Sequence, residues 1–283
     1  MRLVLPAVMV AAGILSGLPP GLLVGGAVAS EVENLLALCS DPAKPPLEAL
    51  NACRRVAEQG RLDARRRALV WLNAGIAAHT LGLYAEAVAA HGAAIEADPR
   101  LSAAFENRAL AYARLNRLNE ALTDYAAAIS LQPTGPGAYL GRGILMLEQG
   151  APERALPDFG KAIELDPSLT TARYNRGLAF LKLGRNQLAE VDFSAVIGRN
   201  PRDAGAYLNR GRVRAAQARP GARNDFDRAI ALKPEWAAAW YMRGWFFDRA
   251  GALDEANADF LRAYQLGHAD PWLIERMRRM SGQ

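Results

Sequence analysis

Histidine, cysteine and lysine are scarce in this 283-residue chain: three histidines, two cysteines and four lysines, against 30 arginines. So few histidines and cysteines leave little room for a zinc site or a Cys-His catalytic pair. His79, His91 and His268 stand far apart, with no metal-ligand spacing. Gly160-Lys161-Ala162 lacks the upstream glycine and the following Ser or Thr of a phosphate loop, and there is no G-x-S-x-G elbow. Aromatic residues make up only 7%. These absences point away from an enzyme and call for no cofactor and no metal.

What is abundant is alanine, 56 residues, in a chain that is 51% hydrophobic. That fraction excludes a wholly disordered chain, and the alanine excess argues for helices that approach closely. Length alone fits one large or two ordinary domains. The net charge is +5 and is spread along the chain, with small clusters at Arg65-Arg66-Arg67 and at Arg276, Arg278 and Arg279. Nucleic-acid binders concentrate charge on one face with interleaved aromatics, so no nucleic-acid partner is expected.

The N-terminus reads as an address. Arg2 precedes an apolar run from Leu3 to Leu18, the Pro19-Pro20-Gly21 break follows, and Ala27-Val28-Ala29 has a small-x-small pattern just before Glu31. This is the layout of a secretory signal peptide over 1–29, cleaved after Ala29. An uncleaved membrane anchor is the competing reading, because the run is long enough to span a bilayer. Cys39 follows Leu38, not a small residue, which speaks against a lipid anchor. Export places the chain in a bacterial periplasm, or on the inner membrane facing it if the anchor is kept. The arginine-over-lysine and alanine bias fits a GC-rich bacterium.

Export also bears on Cys39 and Cys53, the only two cysteines. An even count in an oxidising compartment predicts a disulfide. Asp41-Pro42 and Pro45-Pro46 separate two short helices, so the bond would staple an N-terminal capping hairpin within 30–67. Closing such a loop is worth roughly 3 kcal/mol in the chain-entropy model.

The body of the chain repeats. Pro99, Pro133, Pro167, Pro201 and Pro234 recur at spacings of 34, 34, 34 and 33. Such a period predicts a repeat array. With each proline at position 32 of a 34-residue unit, position 8 is small (Gly75, Ala109, Gly143, Gly177, Gly211, Gly244). Position 20 is alanine throughout (Ala87, Ala121, Ala155, Ala189, Ala222, Ala256), and position 24 carries a ring (His91, Tyr125, Phe159, Phe193, Phe226, Phe260). Positions 4, 8 and 11 share one face of a first helix, and 20, 24 and 27 one face of a second. Gly82, Gly150, Gly184 and Gly251 fall at the turn between them. Each unit is an antiparallel helix pair that buries its faces only against its neighbours. The units run 68–101, 102–135, 136–169, 170–203, 204–236 and 237–269, with a capping helix in 270–283. Glu58, Glu86, Glu96, Glu120 and Glu164 fall at exposed places and offer no paired-carboxylate cleft.

A second pair of columns is charged. Position 7 is arginine in five units (Arg108, Arg142, Arg176, Arg210, Arg243), and position 23 is aspartate in the same five (Asp124, Asp158, Asp192, Asp225, Asp259). The first unit lacks both. The expectation is a structural ladder of cross-helix ion pairs. The fifth unit is one residue short near Pro220-Gly221 and has Arg214 at apolar position 11, which predicts a tighter turn and a looser local core.

These residues resemble the tetratricopeptide repeat family over about 68–269. Trp71-x-x-Ala74-Gly75 and Trp240-x-x-Arg243-Gly244 look like its opening signature, and the later alanine, ring, alanine and proline columns complete it. The resemblance implies an all-α solenoid whose concave face, built from first helices, grips extended peptides or helices of a protein partner. At its groove positions stand Leu72, Asn73, Ile76, Asn107, Leu110, Leu140, Ile144, Tyr174, Asn175, Leu178, Asn209, Arg212, Tyr241 and Trp245. The asparagines either meet peptide backbone or only bond neighbouring helices. No lysine stands at positions 2, 5 or 6, so a carboxylate clamp of the family's kind is not expected. Trp236 and Trp245 offer a peptide hot spot, an aromatic enzyme or carbohydrate site, or simply a packed end. The resulting expectation is an exported, non-enzymatic binding scaffold of unstated oligomeric state.

Overall fold

The computed structural model describes residues 26–59 and 62–280, which form fifteen α-helices and no strand. Residues 1–25, which hold most of the expected signal segment, lie outside the described residues. No helix among those described is long and apolar enough to cross a membrane. The chain divides into two compact units, Met1–Ala151 and Pro152–Gln283.

The first unit holds α1 (Gly26–Ser40), α2 (Pro46–Gln59), α3 (Ala64–Thr80), α4 (Tyr84–Ala97), α5 (Ser102–Arg114), α6 (Leu118–Leu131) and α7 (Pro136–Glu148). Proline sets its element starts: Pro46 and Pro136 open helices where a missing N–H costs nothing. Asp63 caps α3 by accepting the Arg66 amide at 2.8 Å. The α1–α2 hairpin is closed by a Cys39–Cys53 disulfide with Cα atoms 4.8 Å apart. Both cysteines are buried with Leu50, Val56, Val70 and Ala74, so the hairpin packs on α3. The expected cleavage point after Ala29 falls near the start of α1.

The second unit holds α8 (Pro152–Leu165), α9 (Thr170–Lys182), α10 (Asn186–Arg199), α11 (Ala204–Ala216), α12 (Ala222–Leu232), α13 (Ala237–Arg249), α14 (Leu253–Gln265) and α15 (Pro271–Met280). Leu273 and Met277 bury α15 against Tyr241, Phe247 and Phe260.

The packing explains the columns. A Cβ at position 8 would stand 2.3 Å from the His91 ring at Gly75, and 2.9 Å from Phe193 at Gly177. At Gly211 and Gly244 it would meet Phe226 and Phe260 at 2.9 and 2.8 Å. The position-24 ring therefore lies directly on the first helix's backbone, and glycine is what admits it. The position-20 alanines are buried. Turn position 15 is left-handed in every pair: four glycines, then Asn116 (φ 60°) and Ala218 (φ 51°). Asparagine tolerates that region, whereas alanine is strained there by roughly 1 kcal/mol.

At the fifth helix pair the expected loose core is absent. Arg214 donates from Nε to Glu190 Oε1 at 2.8 Å and from Nη1 to Asp225 Oδ2 at 3.0 Å. Arg219 also pairs with Glu190. The apolar position is filled by a bonded cation, and Gly221 (φ 87°) opens a shorter α12.

Candidate functional site

Each of four position-7 arginines grips the position-23 aspartate of its own helix pair with two bonds. Arg108 reaches Asp124 at 2.7 and 2.9 Å, and Arg176 reaches Asp192 at 2.8 and 2.7 Å. Arg210 reaches Asp225 at 3.0 and 2.7 Å, and Arg243 reaches Asp259 at 2.8 Å twice. Arg142 and Asp158 belong to different units, and their pairing stays an expectation of the register. The hydrogen bonds to Asp124, Asp192 and Asp259 hold the Arg108, Arg176 and Arg243 guanidinium groups above their ordinary pKa. Rings at positions 4 and 11 lie beside these cations: Phe105 and Tyr112 at 5.7 Å from Arg108, and Trp240 at 5.0 Å from Arg243. This second role of the aromatic columns is not visible from spacing alone. The rungs bind helix to helix, and nothing in them is left to react.

The first-helix face differs from the expected groove. Leu72, Leu110, Leu140, Ile144, Leu178 and Tyr241 are buried, Leu140 and Ile144 completely. These side chains are core. The asparagines turn inward too. Asn107 and Asn175 donate to the Ala103 and Thr171 carbonyls, four residues back, at 2.9 Å. Asn73 is buried with no partner for Nδ2, and Asn175 with none for Oδ1. An amide row open to peptide backbone is therefore absent at these positions. Ile76, Tyr174, Arg212 and Trp245 keep part of their surface in solvent.

In the second unit, Tyr174, Asn209 and Arg212 form a chain. Asn209 Nδ2 donates to Tyr174 Oη and to the Gly205 carbonyl, both at 3.0 Å, and its Oδ1 accepts from Arg212 Nη1 at 2.9 Å. A Cβ at Gly205 would stand 2.9 Å from Tyr174 Oη. Burial, then the Asp203 carboxylate, pushes the Tyr174 hydroxyl up to about 12. Burial pulls the Arg212 guanidinium below its ordinary value, and no carboxylate pairs with it among the described residues.

In the first unit, the equivalent place is held by Glu106. Burial pushes its carboxyl up to about 7. The signal was present: it is the only acid at position 5, and the next unit has glycine at both positions 2 and 6, Gly137 and Gly141.

The aromatic end does not join Trp236 to Trp245. Trp236 packs with Phe226 and Ile230, whereas Trp245 packs with Phe260 and Leu273. Trp272 of α15 stacks on Trp245 at 4.4 Å, and His268 lies 4.2 Å from Tyr241. Arg276 sits over Phe260 and Trp272 and pairs with Asp248 at 2.9 Å. A shared aromatic site at Trp236 and Trp245 is thus replaced by a packed end cap. Among the described residues no cluster of three His, Cys, Asp or Glu side chains is placed to hold a metal.

Consecutive helix pairs with small-on-ring contacts define an all-α helical-repeat protein of the solenoid class. Family models agree: one described as TPR repeat matches residues 111–150, and one described as tetratricopeptide repeat matches 140–194, 174–221 and 216–271. The chain belongs to the tetratricopeptide repeat family. No curated protein matches the sequence. Among solved structures, a tetratricopeptide repeat protein from Parabacteroides merdae is 21% identical with a TM-score of 0.63, over 87% of this chain and 97% of that one. PilW, described as a widely conserved type IV pilus biogenesis factor, is 19% identical with a TM-score of 0.67, over 74% and 98%. YrrB, described as a TPR protein with an unusual peptide-binding site, is 23% identical with a TM-score of 0.57, over 69% and 99%. At these identities the likeness is one of fold.

Proposed function

We propose that this protein is a non-catalytic scaffold that binds a peptide segment of a partner protein along the face of its first helices. One observation carries the reading. Arg212 is more than half withdrawn from water, is oriented by Asn209, and has no counter-ion among the described residues. A half-buried cation with a single amide acceptor is unfavourable unless something supplies further acceptors. A peptide carbonyl or carboxylate laid beside Tyr174 and Arg212 does so. The peptide-binding site attributed to YrrB, a protein of the same fold, supports the same reading.

We further propose that the chain works outside the cytoplasm, with residues 1–29 removed as a signal peptide. The Cys39–Cys53 bond supports this, because structural disulfides persist in oxidising compartments. N-terminal sequencing of the protein purified from cell envelopes tests it. A first residue at Ser30 is expected, and an intact Met1 overturns cleavage and returns the membrane-tethered subunit.

The binding reading is tested with a photoreactive residue replacing Tyr174 on α9, and another replacing Leu188, exposed on the second helix of the same pair. Partner adducts are expected from position 174 only. Adducts from position 188 with none from position 174 contradict the reading.

A further inference from the structure

Two polar groups in the first unit end against bare backbone. Glu106 on α5 places Oε1 2.2 Å from where a Cβ on Gly137 would stand. Tyr125 on α6 places its hydroxyl 2.6 Å from where a Cβ on Gly141 would stand. Gly137 and Gly141 are four apart on α7, hence on one face and one turn from each other, roughly 5–6 Å. The carboxylate and the phenol oxygen therefore lie side by side in a notch whose floor is helix backbone.

Neither group has a hydrogen-bond or ion-pair partner among the described residues. Tyr125 is 2% exposed, so its hydroxyl is an unpartnered polar group in a buried side chain aimed into the notch. Arg114 on α5 and Glu148 on α7 both act electrostatically on Tyr125, yet Arg114 forms no ion pair with Glu106. The matching place in the second unit is satisfied. In the second unit, the position-5 side chain, Tyr174, is bonded by Asn209, which stands where α7 has Gly141. In the first unit, the residue that would do this is missing its side chain, and the group to be satisfied is an acid.

Two acceptors, one of them anionic, on a glycine floor fit a donor cation. We propose that the Glu106–Tyr125 notch receives a cationic side chain, lysine or arginine, from a peptide lying along the first-helix face. The inference rests on the binding face proposed above and adds its selectivity. The glycines let Glu106 and Tyr125 come up against the α7 backbone. The bound side chain's nitrogen donates to Glu106 and to Tyr125 Oη, and the peptide backbone stays outside.

The test is a titration of the isotope-labelled full chain with three capped peptides, acetyl-Ala-Leu-X-Leu-Ala-amide, where X is lysine, arginine or norleucine. The backbone amides of Gly137 and Gly141 are the reporters. The lysine or arginine peptide is expected to bind about tenfold more tightly than the norleucine peptide, and the better of the two names the cation. Glu106→Gln is expected to erase that difference, and Tyr125→Phe to reduce it, with circular dichroism showing both variants folded. If all three peptides shift first-helix amides alike and Glu106→Gln changes nothing, the notch is not a cation site and the binding face stands. If no peptide moves any first-helix amide, both the notch and the face are overturned.

Discussion

Two three-helix slices of this molecule have the same register and different chemistry. α5–α6–α7 and α9–α10–α11 each carry a two-bond rung, Arg108–Asp124 in one and Arg176–Asp192 in the other. Each seats a position-24 ring on the first-helix side. In the second-unit slice, Asn209 bonds both Tyr174 and Arg212, Asn175 Oδ1 has no partner, and Arg212 has no counter-ion among the described residues. In the first-unit slice, Glu106 and Tyr125 both remain unbonded. The shared part is architecture, because it recurs and is satisfied. The unshared part is unsatisfied and so costs stability, which is how binding sites differ from cores.

The largest predicted effect breaks what the slices share. Asp192→Ala leaves Arg176 without its partner and is expected to cost about 2–3 kcal/mol. This is below the fully buried range, because Arg176 keeps 26% of its side-chain surface exposed. Replacing both Arg176 and Asp192 by alanine is expected to cost less than the single change. Urea unfolding of the four proteins of the cycle measures it, and a coupling near zero removes the ladder from the account.

The next two predictions act in opposite directions on the first unit's pH dependence. The Glu106 carboxyl is raised to about 7 when folded, from an ordinary 4.5. The folded state then holds more protons between those values, and stability falls as pH rises through them. Glu106→Gln is expected to remove that slope and to gain roughly 1–2 kcal/mol at pH 8. His91 is the reverse case. It is buried with neither ring nitrogen bonded, and burial, then His79 and Arg108, lowers it from 6.5 to about 3. The unfolded state holds more protons in that window, so stability is lost as pH falls below about 6.5. His91→Phe, matching the ring of the other pairs, is expected to raise stability at pH 5 by roughly 1–2 kcal/mol more than at pH 8. Denaturant midpoints across pH 5–8 for the two variants check both signs.

The smallest prediction makes the second-unit slice resemble the first. Asn209→Ala removes the donor to Tyr174 and the acceptor for Arg212, at an expected cost of about 1 kcal/mol by thermal unfolding. A cost of zero would mean the chain of bonds is incidental.

Much of the fold was legible because the register is repeated. A glycine at position 8 and a ring at position 24 state the same contact in several helix pairs, so one misread residue does not mislead. The site was less legible for the opposite reason. Register assigns a residue to a face but not to a depth, so Leu72, Leu110 and Leu178 were assigned to a groove when they are core. Asn107 and Asn175 likewise bond their own helix, because the i−4 carbonyl lies within reach of the side-chain amide. Arg214 looked like a flaw in an apolar column until Glu190 and Asp225 were seen around it. Glu106 was the informative exception. Its meaning depends on Gly137, Gly141 and Tyr125, which only packing brings together.

The central claim is that Glu106 and Tyr125 are left unbonded for a partner and not for the fold. Equilibrium unfolding of Glu106→Gln beside the wild type at pH 8 tests it most directly. A variant more stable than the wild type is the predicted result. A variant less stable would show that the Glu106 carboxylate holds the structure together, and would contradict the account.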